Sequence, residues 1–293
     1  MFLNNMDTDL LKKVHKIEIK AKGLSRDVFS GQYRSAFKGR GMTFSEVREY
    51  AYGDEVRSID WNVSARFNRP FVKIFEEERE LTIMLMIDIS GSTAFGSKNE
   101  LKKEIITEIA ATIAFSASSN NDKVGAILFS DKTELFIPPK KGSSHCLRII
   151  RELLAYRKTE GKTSFHEPFE YVNSVIKKRC TCFLITDGFG EFDKGLTIFS
   201  KKHDLCSIIV NDEMETNLPN LGLVLMNDAE SNKSFWIDTS DKKTREWFYN
   251  YRIQQKEKQE NLFKKLGMDY VSLLTTDDYT KALIKLFAKR ERL

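Results

Sequence analysis

The chain has 293 residues, of which 47 are basic and 42 acidic; with 30% charged beside 41% hydrophobic, this is the profile of a folded globular protein with a large core. Five prolines, 15 glycines and no low-complexity tract exclude a linker-dominated or disordered chain. A net charge of +5 spread over interleaved acids and bases gives no basic face for nucleic acid, and the most apolar stretch, Leu81 to Ile89, is broken by Asp88 and too short to span a bilayer. The N-terminus has neither the apolar run nor the cleavage site of a signal peptide, so a cytoplasmic protein with no integral membrane segment is expected.

The first predicted element is a short amphipathic helix. Leu10, Leu11, Val14 and Ile17 share one face, with Asp7 and Asp9 at its start and lysines toward its end. The Gly-rich, basic and aromatic stretch after it scatters its apolar residues singly, so residues 1–80 are expected to form a small loop-rich subdomain of short strands and turns. From 81 to 293, strand-length apolar runs alternate with stretches of helical periodicity, which predicts an α/β domain built on a mostly parallel sheet with helices on both faces. The strands are expected at Leu81 to Ile89, Val124 to Phe129, Leu135 to Ile137, Thr181 to Ile185, Leu205 to Val210 and Tyr270 to Leu274. The link Asp131-Lys132-Thr133 is too short for a parallel crossover, so the strand at Leu135 should be antiparallel. Helical stripes run through Leu101, Ile105, Ile109, Ile113 and Ala117, through Leu147, Ile150, Leu153 and Leu154, and through Leu283, Leu286 and Phe287. Residues 211–239 fall outside the alternation as an insertion or extended edge, and Lys242 to Leu266 reads as a helix whose polar middle stands clear of the core.

Cys146, Cys180, Cys182 and Cys206 sit mostly in apolar runs and are expected to be buried thiols. Cys180 and Cys182 share one strand face, and with no second close pair a zinc site is not expected.

The sharpest feature is Asp88-Ile89-Ser90-Gly91-Ser92, where the first sheet strand gives way to a Gly/Ser turn and a helix. Ligands of open α/β sheets bind beyond the carboxyl ends of the strands. One carboxylate and two hydroxyls at i, i+2 and i+4 around such a turn can aim their oxygens at one spot, and hard divalent cations select oxygen ligands. A second buried strand runs into Thr186-Asp187-Gly188, and Gly161-Lys162-Thr163-Ser164 is a turn ahead of a helix. These pieces resemble the metal-ion-dependent adhesion site of von Willebrand factor A domains. The resemblance implies Mg²⁺ (or Mn²⁺) at Asp88, Ser90, Ser92, Thr163 and Asp187, occupied when a partner carboxylate completes the coordination. It also implies a von Willebrand A-like, Rossmann-like sheet with one antiparallel edge strand.

The run upstream carries Phe44, Arg48, Tyr50, Gly53, Asp54, Arg57, Asp60, Trp61, Ala65, Arg66 and Glu78, followed at once by the metal motif. It resembles the bacterial domain-of-unknown-function family 58, von Willebrand A-like proteins associated with MoxR-type AAA+ ATPases. The resemblance covers nearly the whole chain. It implies a non-enzymatic, chaperone-like interaction module working with such an ATPase on client proteins or other von Willebrand A-type proteins, compatible with a membrane-associated assembly. The acids and arginines of the run read first as internal pairs; the other reading is a docking surface on Tyr50, Tyr52, Arg57, Trp61 and Arg66. Two rival functions stay open, a metal-dependent phosphohydrolase and a scaffold with an empty metal site. The first lacks the second acid two residues after Asp88, where Ser90 stands, and no Walker-type GxxxxGK[ST] is present.

Overall fold

The computed structural model describes residues 2–25, 33, 42–77, 80–91, 102–156, 164–188, 192, 194–227 and 234–291. It divides into two compact units, Phe37–Leu81 and the remainder, Met1–Ala36 with Thr82–Leu293.

The chain opens with α1 (Phe2–Leu24), far longer than the short helix expected. Its inward stripe is Val14, Ile17 and Ala21, while Leu11 is exposed. In the smaller unit, β1 (Met42–Glu49) pairs antiparallel with β2 (Phe71–Glu77), with a register shift between Phe44 and Glu46. The link between them holds a 3₁₀ turn, Val56–Ser58, and α2 (Trp61–Phe67). Asp60 caps α2 by accepting from the Asn62 and Val63 amides at 2.9 and 3.2 Å, and Asn68 ends it at φ 52°, the left-handed stop typical of a helix C-terminus.

The larger unit is built on one sheet. β3 (Thr82–Asp88) leads through α3 (Lys102–Ser119) to β4 (Lys123–Phe129) and β5 (Thr133–Lys140); α4 (Ser143–Ala155) and α5 (His166–Val175) precede β6 (Thr181–Thr186). Then come α6 (Lys194–Lys202), β7 (Asp204–Asn211), the hairpin of β8 (Leu223–Asn227) and β9 (Ser234–Asp238), α7 (Lys242–Lys265), β10 (Asp269–Leu274) and α8 (Tyr279–Glu291). The sheet order is β10-β7-β6-β3-β4-β5, parallel throughout except for the β4–β5 pair. This is the von Willebrand A-like architecture expected from the sequence, antiparallel edge strand included. Met84 and Met86 of β3 face a cluster with Phe169, Phe199 and Phe263 from α5, α6 and α7, while Phe183 of β6 lies edge-on to Phe287 of α8. Burial on both faces explains why β3, β4 and β6 are apolar almost throughout.

The expected boundary at residue 80 put the first helix in the smaller part. The structure places it in the larger one, because α1 packs on α3 and α4 and Lys20 pairs with Glu108 across the contact. Within 211–239, expected to be an insertion or an extended edge, β8 and β9 pair antiparallel as a separate two-stranded sheet, the insertion of the two alternatives. The polar middle of α7 is exposed from Gln254 to Lys258, but Gln259 turns back and its Nε2 donates to the Gly188 carbonyl at 3.3 Å.

Gly125 of β4 sits tightly against the backbone of β5. A Cβ there would lie 2.9 Å from both Ile137 O and Pro139 N, backbone atoms that cannot swing aside. Gly125→Ala should therefore cost about 1–3 kcal/mol through overpacking. An unchanged denaturant midpoint would show that β5 yields freely.

Candidate metal centre

The chain leaves β3 toward β4 on one side and later returns to β6 on the other. Strand order therefore reverses about β3, and the crevice beyond the carboxyl ends of β3 and β6 is the ligand position of an open α/β sheet. Ile87 pairs with Ile185, so Asp88 and the Thr186–Asp187 pair emerge side by side. All three are buried, as is Ser90, each at 0–1% exposure.

Asp88 is held from two directions. Its Oδ1 accepts from the Ser90 amide at 2.9 Å and its Oδ2 from the Thr186 hydroxyl at 2.7 Å. Thr186 Oγ1 in turn accepts from the Gly188 amide at 3.1 Å, which fixes the turn at Gly188, where φ is +80°. Burial, reinforced by the charge of Asp187, raises the Asp88 carboxyl from its ordinary 3.8 to about 7 against these hydrogen bonds. Among the described residues no ammonium or guanidinium reaches Asp88.

Asp187 has an internal counter-ion instead. Lys102, at the first turn of α3 and wholly buried, donates from Nζ to Asp187 Oδ2 at 3.0 Å and to Glu215 Oε1 at 2.6 Å. Glu215 is raised by burial and held down by Lys102. Arg252 of α7 adds a second cation: its Nε donates to the Glu215 carbonyl at 2.7 Å. Beside Asp187 a cleft of about 570 Å³ opens, lined by Gly188, Asn211, Arg252 and Gln259 among others.

The structure thus brings Asp88, Ser90 and Asp187 together. Ser92 and Thr163 lie outside the described residues; Ser164, next to Thr163, donates its amide to the Ser130 carbonyl at 2.9 Å, at the end of the neighbouring strand β4. His166 is exposed and pairs with Glu170 at 3.4 Å. In the smaller unit, Arg48 makes two 2.7 Å bonds to Asp54 and Asp60 pairs with Lys73 at 3.5 Å. Arg48–Asp54 is an internal pair of the kind expected there, whereas the partner of Asp60 is a lysine of β2, and the Arg48 bond holds the Asp54 carboxyl below its usual range. Arg57 and Arg66 are exposed and enter no ion pair among the described residues; Tyr52 and Trp61 are exposed aromatics, and Tyr50 is half-buried.

Sequence reasoning missed Lys102, Thr186, Glu215 and Arg252. One signal existed. Lys102, Ile105, Ile106 and Ile109 stand at i, i+3, i+4 and i+7, so the lysine occupies a core position of α3, as their common burial confirms.

A divalent cation suits the residues present. The donors are carboxylate and hydroxyl oxygens, the set hard cations select, and Asp88 is a buried carboxylate with spare lone pairs and no cationic neighbour among the described residues. Asp187 is partly neutralised by Lys102, so the ion's main anionic partner in this chain would be Asp88.

Comparisons with known proteins bear on the same region. The family described as "Protein of unknown function DUF58" matches residues 46–259. The uncharacterized protein Rv1480 of Mycobacterium tuberculosis (strain ATCC 25618 / H37Rv) is 25% identical over 292 residues, covering 98% of this chain and 91% of that protein. Among solved structures, the conserved hypothetical protein BatB from Bacteroides thetaiotaomicron aligns with a TM-score of 0.47 at 14% identity, over 73% of this chain and 100% of that one. The SpRpn10 VWA domain aligns at 0.40 with 12% identity, over 72% and 95%. No helix among the described residues is long and apolar enough to cross a membrane.

Proposed function

From the premise that this chain belongs to the DUF58 family, we propose that it is a non-enzymatic protein-interaction module whose metal-ion-dependent adhesion site captures a carboxylate of its partner. Asp88, Ser90, Ser92, Thr163 and Asp187 would hold Mg²⁺ or Mn²⁺, and the ion would supply an electrophilic anchor for an aspartate or glutamate of another protein. The observation that carries this reading is the buried Asp88 carboxylate at the strand-end crevice, which has hydrogen bonds but no ion pair among the described residues. A cation there relieves charge that the protein leaves uncompensated, and an incoming carboxylate supplies the remaining ligand. Lys102 contributes by partly offsetting the charges of Asp187 and Glu215, keeping the crevice from becoming a purely acidic hole that would repel a partner's carboxylate.

The sequence resemblance suggests the partner, a MoxR-type AAA+ ATPase, in cytoplasmic protein maturation or assembly. Tyr50, Tyr52, Arg57, Trp61 and Arg66 form a second candidate contact surface, with Trp61 at 69% exposure as its largest aromatic. A phosphohydrolase gains nothing from the geometry, since Ser90 occupies the place of the general acid and its amide is spent on Asp88.

The test is binding of the full chain to the cognate ATPase in Mg²⁺ and in EDTA. Binding should need Mg²⁺ and fall at least about tenfold in Asp88→Ala, the loss of an interaction worth about 1.4 kcal/mol or more. Undiminished, EDTA-insensitive binding by that variant would eliminate the metal bridge.

A further inference from the structure

At the end of β6 opposite Asp187, three metal-ligand side chains converge. Cys180 precedes the strand, Cys182 follows on the same face, and His203 stands between α6 and β7. Cys180 Sγ lies 3.5 Å from Cys182 Sγ and 3.2 Å from His203 Nδ1, and the three ligand atoms lie within 4.8 Å of one another. Cys182 and His203 are wholly buried and Cys180 is 4% exposed. No second pair of cysteines joins Cys180 and Cys182 among the described residues. The third ligand is instead a histidine 23 residues from Cys180, delivered by the fold.

The imidazole is set in the ligating tautomer. Its Nε2 lies 3.1 Å from Asn173 Oδ1 of α5, an acceptor, so Nε2 carries the proton and Nδ1 presents its lone pair toward the thiols. A ligand histidine whose other ring nitrogen donates to a fixed oxygen is the usual outer support of a metal site. The Phe199 ring, 4.8 Å from the imidazole, flanks it. The Cys180 amide also approaches Nδ1, at 3.3 Å, and this long bond is the one that ligation replaces.

Metal choice follows from distance and charge. Zn–S of about 2.3 Å and Zn–N of about 2.0 Å at tetrahedral angles put two sulfurs about 3.8 Å apart and sulfur and nitrogen about 3.5 Å apart. The observed 3.5 and 3.2 Å open slightly to meet these values, and the third pair, Cys182 Sγ and His203 Nδ1, already lies within 4.8 Å. Two thiolates and a neutral imidazole cancel a 2+ charge, whereas Cu⁺ would leave a net negative charge in the interior. We propose that Cys180, Cys182 and His203 form a zinc site of three protein ligands, with the fourth position left for water, that ties the start of β6 to the α6–β7 connection. Each thiol releases its proton to solvent as its sulfur takes the metal, so one Zn²⁺ exchanges for two H⁺.

The test uses the full chain, reduced, stripped of metal with a chelator, and titrated with Co²⁺ and then Zn²⁺. One equivalent of Co²⁺ should raise an intense sulfur-to-cobalt absorption that Zn²⁺ then bleaches. The oxygen-only Asp88 centre gives no such band, so the two sites are read separately. Cys180→Ser and Cys182→Ala should abolish the band, and Cys206→Ala, at a buried thiol outside the cluster, should leave it unchanged. Asn173→Ala should weaken zinc binding about 10–100-fold. If the cysteine variants fail to fold, the wild-type protein still decides: zinc should protect two of its four thiols from a thiol reagent. Absence of the sulfur band in the wild type, its survival in both cysteine variants, or equal reactivity of all four thiols overturns the proposal, and capture of Cu⁺ with none of Zn²⁺ overturns the choice of metal.

Discussion

Asp88→Asn is expected to make the metal-free protein more stable, by about 1–3 kcal/mol at about pH 8, while removing its response to Mg²⁺. The sign follows from the raised carboxyl, about 7 in the fold against an ordinary 3.8. Below about pH 4 folded and unfolded chains both hold the proton, and Asp88 costs nothing. Between the two values only the folded chain holds it, so stability falls as pH rises, and above about pH 7 the full penalty stays. At about 1.4 kcal/mol per pH unit the upper bound is about 4 kcal/mol. Asparagine removes the charge but offers the Thr186 hydroxyl an amide N–H in place of an acceptor, which returns part of the gain. Urea unfolding with EDTA across this range should show a gap between variant and wild type that opens from about pH 4 and levels off above about pH 7. Mg²⁺ should close it by stabilising the wild type alone. A pH-independent gap, or a variant weaker everywhere, would mean that Asp88 is not an uncompensated charge.

The opposite outcome is expected at Lys102. Replacing it by methionine keeps most of the apolar stem but leaves Asp187 and Glu215 facing each other without their ammonium, all three side chains at 14% exposure or less. Removing one member of a buried ion cluster costs about 3–5 kcal/mol, because the remaining charge is stranded. Lys102→Met should unfold correspondingly earlier in urea. The double variant Lys102→Met with Glu215→Gln should recover part of the loss, since one stranded carboxylate is gone. Mg²⁺ should stabilise the single variant more than the wild type, its crevice being more acidic. A cost below about 1 kcal/mol would demote the lysine to an ordinary helix residue.

Much of the sheet was legible because β3, β4, β6 and β7 are buried on both faces and so are nearly unbroken apolar runs. The antiparallel edge was legible from the length of one turn. α6 was not, since KGLTIFSKK is short and half polar and packs by Leu196 and Phe199 alone. α1 was read too short because the sequence shows only its inward stripe clearly, and its exposed residues, such as Leu11 and Ile19, include apolar ones. For the candidate centre, Asp88 and Ser90 were legible as one short motif. Lys102 and Glu215 were not, because they meet across 113 residues and only the folded sheet brings them together. The same holds for His203. It is an unremarkable turn residue in the sequence, and its company with Cys180 is purely topological.

β5 carries Pro138 and Pro139 in succession, beside the irregular step in its pairing with β4. Neither proline has an N–H, so at this point the outer margin of the sheet cannot accept a further strand in register. Sideways growth of the sheet into a ribbon of copies is disfavoured at that point, which leaves the loops at the strand ends, where the carboxylates lie, as the more open place for another protein to engage.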